Sequence, residues 1–354
     1  MQKFKRAKSI YFYFEAGDCI VCNFLTRNFF TCNSTAIDIL RSSEKYNTLE
    51  FYLELLPDFS RSSITNQLIN LIGVGALVVE GTAGALIDEE YEDTWEWHIS
   101  SAAFHFGMKD GHFIPTEDAI ALQEARTKFD PSPKLFSTNE NYSQIVDLPL
   151  PNFDDNVFKI MSERRTHRSF KNKSITINEL SSCLFSGLGI TGFYENPNIC
   201  DLPIKWTPSG GARNPYEAYV YSLNVDGLNN GIFHYSAYEN SLGFIQQQKK
   251  LPPPSLLLGN QDWANGAAAI VILVANFERT MWKYPDCNAY RVVLIEAGHI
   301  GQNILLTATQ QELVANPTSA LNDQLIESLL KITKLTHSAI FAIALGHPDR
   351  NKPS

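Results

Sequence analysis

Three short stretches carry residue types that could do chemistry. The first is the basic run Arg164-Arg165-Thr166-His167-Arg168. Guanidinium forks match the geometry of a phosphate and hydroxyls add hydrogen bonds; a solvated helix end would use the same residues. The second is Thr207-Pro208-Ser209-Gly210-Gly211-Ala212-Arg213-Asn214-Pro215, with two glycines set between prolines. Such a loop is tight and preset, so its backbone N–H groups can come close to a planar or anionic ligand, although the stretch taken alone favours a plain turn. The third is Trp282-Lys283-Tyr284-Pro285. A lysine beside a tyrosine can supply a base and a proton carrier, the more so where burial lowers the amine's pKa.

Other candidates point away from chemistry. Cys19 and Cys22 form a CxxC with Cys32 nearby, and Cys183, Cys200 and Cys287 are scattered. Zinc needs a fourth ligand that neither a second CxxC nor a close histidine supplies. A redox CxxC opens a helix, and this one lies in a strand-like run, so buried structural thiols are expected and no metal site. His98 and His105 lack a third ligand nearby, and His234 sits in the alternating run Gly231 to Tyr235, where a structural role is expected.

The elements that must position these residues follow from periodicity. Residues 9–31 alternate and are punctuated by Gly17-Asp18 and Thr26-Arg27-Asn28, which predicts two or three antiparallel strands. Helices are predicted after Asn33 or Ser34, over Thr48 to Leu56, and after Ser60 or Ser62, followed by a strand at Ala76 to Val79. This order resembles a winged helix. Its third helix carries only Arg61 as a cation, so DNA contacts lack residues, whereas a peptide could add a strand to a sheet edge. The acidic run Asp88 to Asp93 reads as a solvated face. Helices are predicted over Thr116 to Phe129, Asp154 to Arg165, Ile177 to Leu188 and Arg291 to Gln310. Pro131, Pro133, Pro149 and Pro151 mark a linker, and residues 190–206 with Pro197 and Pro203 read as a loop. Glu217 to Leu223, Gly266 to Asn276 and Ala339 to Leu345 read as strands, and Gly298 and Gly301 as points of close backbone approach.

Composition bounds the function. The chain has 354 residues, 44% hydrophobic and 19% charged. That is enough for two domains or one large one. A net charge of −9 argues against a general nucleic-acid or anionic-membrane binder. No run approaches the roughly 18 apolar residues of a membrane span, and the basic start leads into Tyr/Phe alternation rather than a signal-peptide core. The expectation is a cytoplasmic protein.

Six segments in order carry a resemblance: RRTHRSF, PSGGARNPYEAY, GIFHY, MWKY, EAGHIGQN and ALGHPDR. Together they resemble the flavin-dependent nitroreductase superfamily and, within it, the SagB/ThcOx-type dehydrogenases that oxidise azolines to azoles in modified peptides. The match runs from about Phe158 to Arg350. It implies an α+β architecture, a nitroreductase-like FMN-binding fold preceded by a small winged-helix-like domain. The division read from the element order together with this match is 1–81 as a winged-helix-like module that could grip a peptide, 82–156 as a connecting region and 157–354 as the FMN domain. By position Arg164 and Thr166 would hold the FMN phosphate, Arg165 would be a further cofactor-binding residue, Arg168 would face the flavin N1/C2 carbonyl, and Arg350 would close on the phosphate. Pro208, Ser209, Gly210 and Gly211 would serve the cofactor of a second subunit in a homodimer, and Gln302 would touch the cofactor. Lys283 and Tyr284 match the pair used for proton removal. A precursor or carrier-bound peptide is the implied substrate, with a cyclodehydratase as a further partner. The stretch Glu312 to Pro317 departs from the relatives' Gly-rich segment. Two rivals share these residues: a nicotinamide-dependent nitro or quinone reductase, and a non-catalytic peptide-binding scaffold.

Overall fold

A computed structural model of the chain describes residues 2–130, 149–150, 154–195, 201–246 and 251–350. Pro131, Pro133, Pro151, Pro197 and Cys200 lie outside the described residues. The chain forms two units, each assembled from separate segments. The first takes Met1–Lys109, Asn276–Val293 and Thr333–His337; the second takes Asp110–Ala275, Leu294–Ile332 and Ser338–Ser354.

In the first unit, Lys3–Arg6 is the middle strand between Asn47–Thr48 and Leu77–Val79, antiparallel to both. The basic start thus becomes a strand. Phe4 points into the core, and the Lys5 ammonium lies 3.8 Å from Glu89 and 3.6 Å from Glu92. A second sheet runs Ile10–Glu15, Asp18–Asn23, Asn28–Cys32, with Cys19 opposite Cys32. The three helices Ser34–Ser42, Leu49–Leu55 and Arg61–Gly73 follow. Asn33 caps the first by accepting from Ala36 N at 2.8 Å, and Ser60 caps the third by accepting from Ser63 N at 3.1 Å. The backbone donors exposed at each helix start are thus satisfied locally. Their apolar stripes (Ile39, Leu40, Tyr52, Ile64, Leu71) form one core with Phe4 and Val21.

Residues 83–108 belong to this unit as two helices, Ala83–Thr94 and Ile99–Met108. The acidic run does not form a wholly solvated face. Helical spacing turns Asp88 inward with Ala85 and Tyr91. Asp88 is only 2% exposed. Its carboxylate accepts from Lys8 N (2.9 Å), Ser9 N (3.1 Å) and Ser9 Oγ (2.7 Å). These bonds compensate the burial of the charge.

The second unit is built on a six-stranded sheet. Its order is Ser241–Gln246, Gly231–Ser236, Tyr216–Ser222, Ala269–Asn276, His337–Gly346, Val314–Thr318. Ala269 to Ala275 is buried residue after residue, as its unbroken apolar run predicts for a central strand. Ile270, Ile272 and Val274 share a core with Leu257 and with Ile326 and Leu329 of the helix Asp323–Leu330. Helix Ile177–Leu188 opens with a capping box between Thr176 and Glu179. It packs on the long helix Ala289–Gln310, with an added Cβ at Gly187 only 3.0 Å from Ile300 and Ile304. Gly301 meets a ring rather than a backbone: a Cβ there would sit 2.6 Å from Phe341 Cε1, whereas Gly298 faces open space. Residues 190–206, expected as a loop, contain the paired strands Ile190–Tyr194 and Leu202–Lys205.

Candidate functional site

In the second unit, the segment after helix Asn156–Glu163 runs beside the chain's last described residues. Lys171 N donates to His347 O and Asp349 N to Ser169 O, both at 2.9 Å, and Phe170 bridges to Pro348. This pairing brings the basic run alongside Arg350. Arg165, His167 and Arg350 line one pocket of about 450 Å³, together with Thr309, Leu313 and the exposed carboxylates Glu163 and Glu312. Thr166 and Arg168 are exposed and Arg164 half-buried; none of the three lines the pocket. The Arg164 carbonyl accepts from Arg165 Nη1 at 2.8 Å.

His167 is easily passed over in the sequence, because its neighbours in RRTHR carry the charge signal. Its carbonyl accepts from Asn316 Nδ2. Among the described residues, His167 Nδ1 and Asn316 Oδ1 are buried without a hydrogen-bond partner. Buried polar atoms are costly when unpaired. Two guanidiniums, a hydroxyl and an unsatisfied imidazole nitrogen fit an anionic, hydrogen-bonding group, provided its charge sits away from Glu163 and Glu312. The departing stretch 312–317 forms part of this wall: Val314–Thr318 is the sheet's last strand.

The glycine loop is a second feature of the same unit. Gly211, Ala212 and Asn214 have φ of 61°, 56° and 47°. These are left-handed conformations, which cost Gly211 little, Asn214 somewhat more and the Cβ-bearing Ala212 most. The long helix braces the loop at two points seven residues apart. Glu296 Oε2 accepts from Ser209 Oγ at 2.7 Å, and Ser209 Oγ accepts from Asn214 N at 2.8 Å. Asn303 Nδ2 donates to Thr207 Oγ1 at 2.9 Å, and Thr207 Oγ1 donates to Gly187 O at 2.7 Å. Asn303 therefore turns inward to the loop, while Gln302 is exposed. Glu296 is 4% exposed. Burial pushes its carboxyl above the usual value, while the bonds from Ser209 and the Gly210 N–H and the charge of Lys205 pull it back. Pro208, Ser209, Gly210, Gly211 and Gln302 do not line the pocket that holds Arg165 and Arg350.

Lys283 and Tyr284 belong to the first unit. Lys283 is exposed and Tyr284 half-buried, with the ammonium 5.5 Å from the centre of the tyrosine ring. Trp97 Nε1 donates to the Tyr284 carbonyl at 2.7 Å. In the same unit, His105 Nδ1 is hydrogen-bonded to the Tyr290 hydroxyl at 3.0 Å. Burial, with the charge of Lys109 second, holds His105 well below the ordinary imidazole range, which makes it a neutral packing residue. His234, on the sheet of the second unit, lies 2.9 Å from Glu217. Among the described residues no three potential ligands cluster for a metal ion, and no helix is long and apolar enough to cross a membrane.

The architecture that carries these features is that of a flavin oxidoreductase, and the comparisons agree. The nitroreductase family model matches residues 161–347, more than half of the chain, and the chain belongs to that family, whose members are oxidoreductases that work with FMN. A protein of Methanocaldococcus jannaschii named as a nitroreductase is 30% identical over 188 residues, 53% of this chain and 90% of its own length. A trifolitoxin-processing protein of Rhizobium leguminosarum is 31% identical over 152 residues; that match covers 42% of this chain and only 40% of the relative. Among solved structures, the microcin synthetase complex of E. coli with truncated pro-MccB17 bound aligns with a TM-score of 0.50 at 18% identity, over 67% of this chain and 83% of that one, a likeness of fold.

Proposed function

We propose that this chain binds FMN and dehydrogenates azoline rings to azoles on a peptide. The observation that carries the reading is the Lys283–Tyr284 pair on its braced loop, in a chain that over 152 residues is 31% identical to a trifolitoxin-processing protein. FMN, when bound, supplies the hydride acceptor. Arg165 and Arg350 hold its phosphate by charge-assisted hydrogen bonds, with Arg164 and Thr166 beside them, and His167 offers its unsatisfied nitrogen. Arg168 places a positive charge toward the flavin's pyrimidine edge. The loop Pro208 to Gly211, held in shape by Glu296 and Asn303, serves the flavin of a second subunit, and Gln302 contributes from the exposed face of the long helix. Lys283 as the neutral amine, or Tyr284 as the phenolate, takes the ring proton, and the exposed position of Lys283 beside the half-buried Tyr284 lets that proton pass on to water.

The peptide docks on the small module. The edge strand Ile10–Glu15 leaves Tyr11, Phe12, Tyr13 and Phe14 between 38% and 77% exposed. Its free side can pair with an extended chain. A cyclodehydratase supplies the azoline.

The test is direct. The purified protein is expected to be yellow, to release FMN on denaturation, and to oxidise a synthetic peptide bearing one thiazoline. Retention of full azole formation by both Lys283→Ala and Tyr284→Phe would remove the proton-transfer role. The match to the Methanocaldococcus nitroreductase favours a second reading, reduction of nitro or quinone compounds. Rapid bleaching of the flavin by a nicotinamide coenzyme without any peptide would put that reading first.

A further inference from the structure

We propose that Trp97 is a positioning residue for Lys283 and Tyr284, and that the aromatic helix pair at 83–108 exists to hold their loop. The inference rests on the catalytic reading of that pair. The helical turn Glu278–Met281 and the loop that follows it to the start of the long helix are flanked by Phe277 and Tyr290, whose rings stack with centroids 5.4 Å apart and planes 18° from parallel. This stacked pair is gripped from residues 95–105. Trp97 meets both rings edge-on at 6.0 Å, Trp95 lies 5.6 Å from Phe277, and His105 is bonded to the Tyr290 hydroxyl.

Within the loop, Lys283 N and Tyr284 N both donate to Thr280 O, at 3.1 and 2.9 Å, which orders the approach to the pair. The Tyr284 carbonyl accepts the Trp97 indole N–H at 2.7 Å. Trp97 is 3% exposed and itself fixed by its ring contacts, so this donor is preorganised. An aromatic chain extends from the cluster to the small module's sheet: Trp95 to Phe106 at 5.2 Å and Phe106 to Phe24 at 5.9 Å, with Tyr91 edge-on to Phe24 at 5.1 Å. The connecting stretch thus carries the loop on which the proton-transfer residues sit.

The experiment uses the full chain with FMN bound and two replacements, Trp97→Phe and Trp97→benzothienylalanine. The second keeps the bicyclic shape and lacks only the N–H, so it stays informative where Trp97→Phe fails to fold. Amide hydrogen exchange over residues 278–288 is expected to rise by about tenfold, the worth of one hydrogen bond, while the strand Ala269–Asn276 keeps its protection. Turnover of a thiazoline peptide is expected to fall by between about 10-fold and 100-fold in kcat with KM and FMN affinity unchanged, as misplacement of a catalytic group requires. Unchanged exchange at 278–288, or exchange that rises equally throughout the chain, overturns the proposal. Lys283→Ala run in parallel separates the two claims. If it retains full turnover, the catalytic reading fails; if it is inactive while both Trp97 replacements turn over normally, only the positioning role fails.

Discussion

Three side chains or pairs can be tested singly. Lys283→Ala and Tyr284→Phe are each expected to lower azoline oxidation by about 10²- to 10⁴-fold, the range for a lost acid–base group, with FMN retained in the absorption spectrum. Arg165→Ala and Arg350→Ala are each expected to weaken FMN binding by roughly 10- to 100-fold, from the loss of a charge-assisted bond, read by fluorescence titration. Glu296 gives a pH signature. Its carboxyl is raised above 4.5 in the fold. The folded state therefore holds more proton than the unfolded chain across the window between the ordinary and the raised value. Its contribution is present below that window and declines as pH rises through it. The cost of Glu296→Gln in thermal melts should therefore be larger below pH 4.5 than above the window; a cost that grows with pH would contradict the buried, raised carboxyl.

Among elements, the helix Ala83–Thr94 is tied to the small module through Asp88. Asp88→Ala leaves Lys8 N, Ser9 N and Ser9 Oγ without their acceptor. The loss is expected to cost about 3 kcal/mol in chemical denaturation. This tie also shows where the sequence stops being readable. Helix starts are legible at Asn33, Ser60 and Thr176 because a cap and the donor it satisfies lie within three residues. The central strand Ala269–Asn276 is legible because it is buried on both faces. Lys3–Arg6 is not, since a strand rich in cations is recognised only through its distant partners Asn47–Thr48 and Leu77–Val79. Asp88 looks solvated among its acidic neighbours, and only the helix phase turns it inward. In the site, the charges of RRTHR and the glycine loop announce themselves. His167, Glu296 and Trp97 do not, because their roles depend on partners 87 to 187 residues distant or on unpaired atoms visible only in three dimensions. The hairpin at Ile190–Tyr194 and Leu202–Lys205 is hidden by its glycine and prolines, which read as turn signals.

At the scale of the whole molecule, the face of the long helix bearing Ile295, Gly298, His299 and Gln302 is exposed, and Ile295 is 51% accessible. The proposed dimer buries this face and gives the glycine loop its second role. Ile295→Glu is expected to shift the protein from dimer to monomer in sedimentation velocity and to release FMN; a variant that stays dimeric would place the interface elsewhere. The first unit is also assembled from three stretches of chain, the last two beginning at Asn276 and Thr333. That discontinuity constrains how such a protein can evolve. A gene fusion that grafted residues 1–109 onto another enzyme would leave behind Phe277, Tyr284 and Tyr290, the segment its tryptophans grip. The two halves are thus poorly suited to exchange by recombination and are expected to be inherited as one piece, changing together by point substitution.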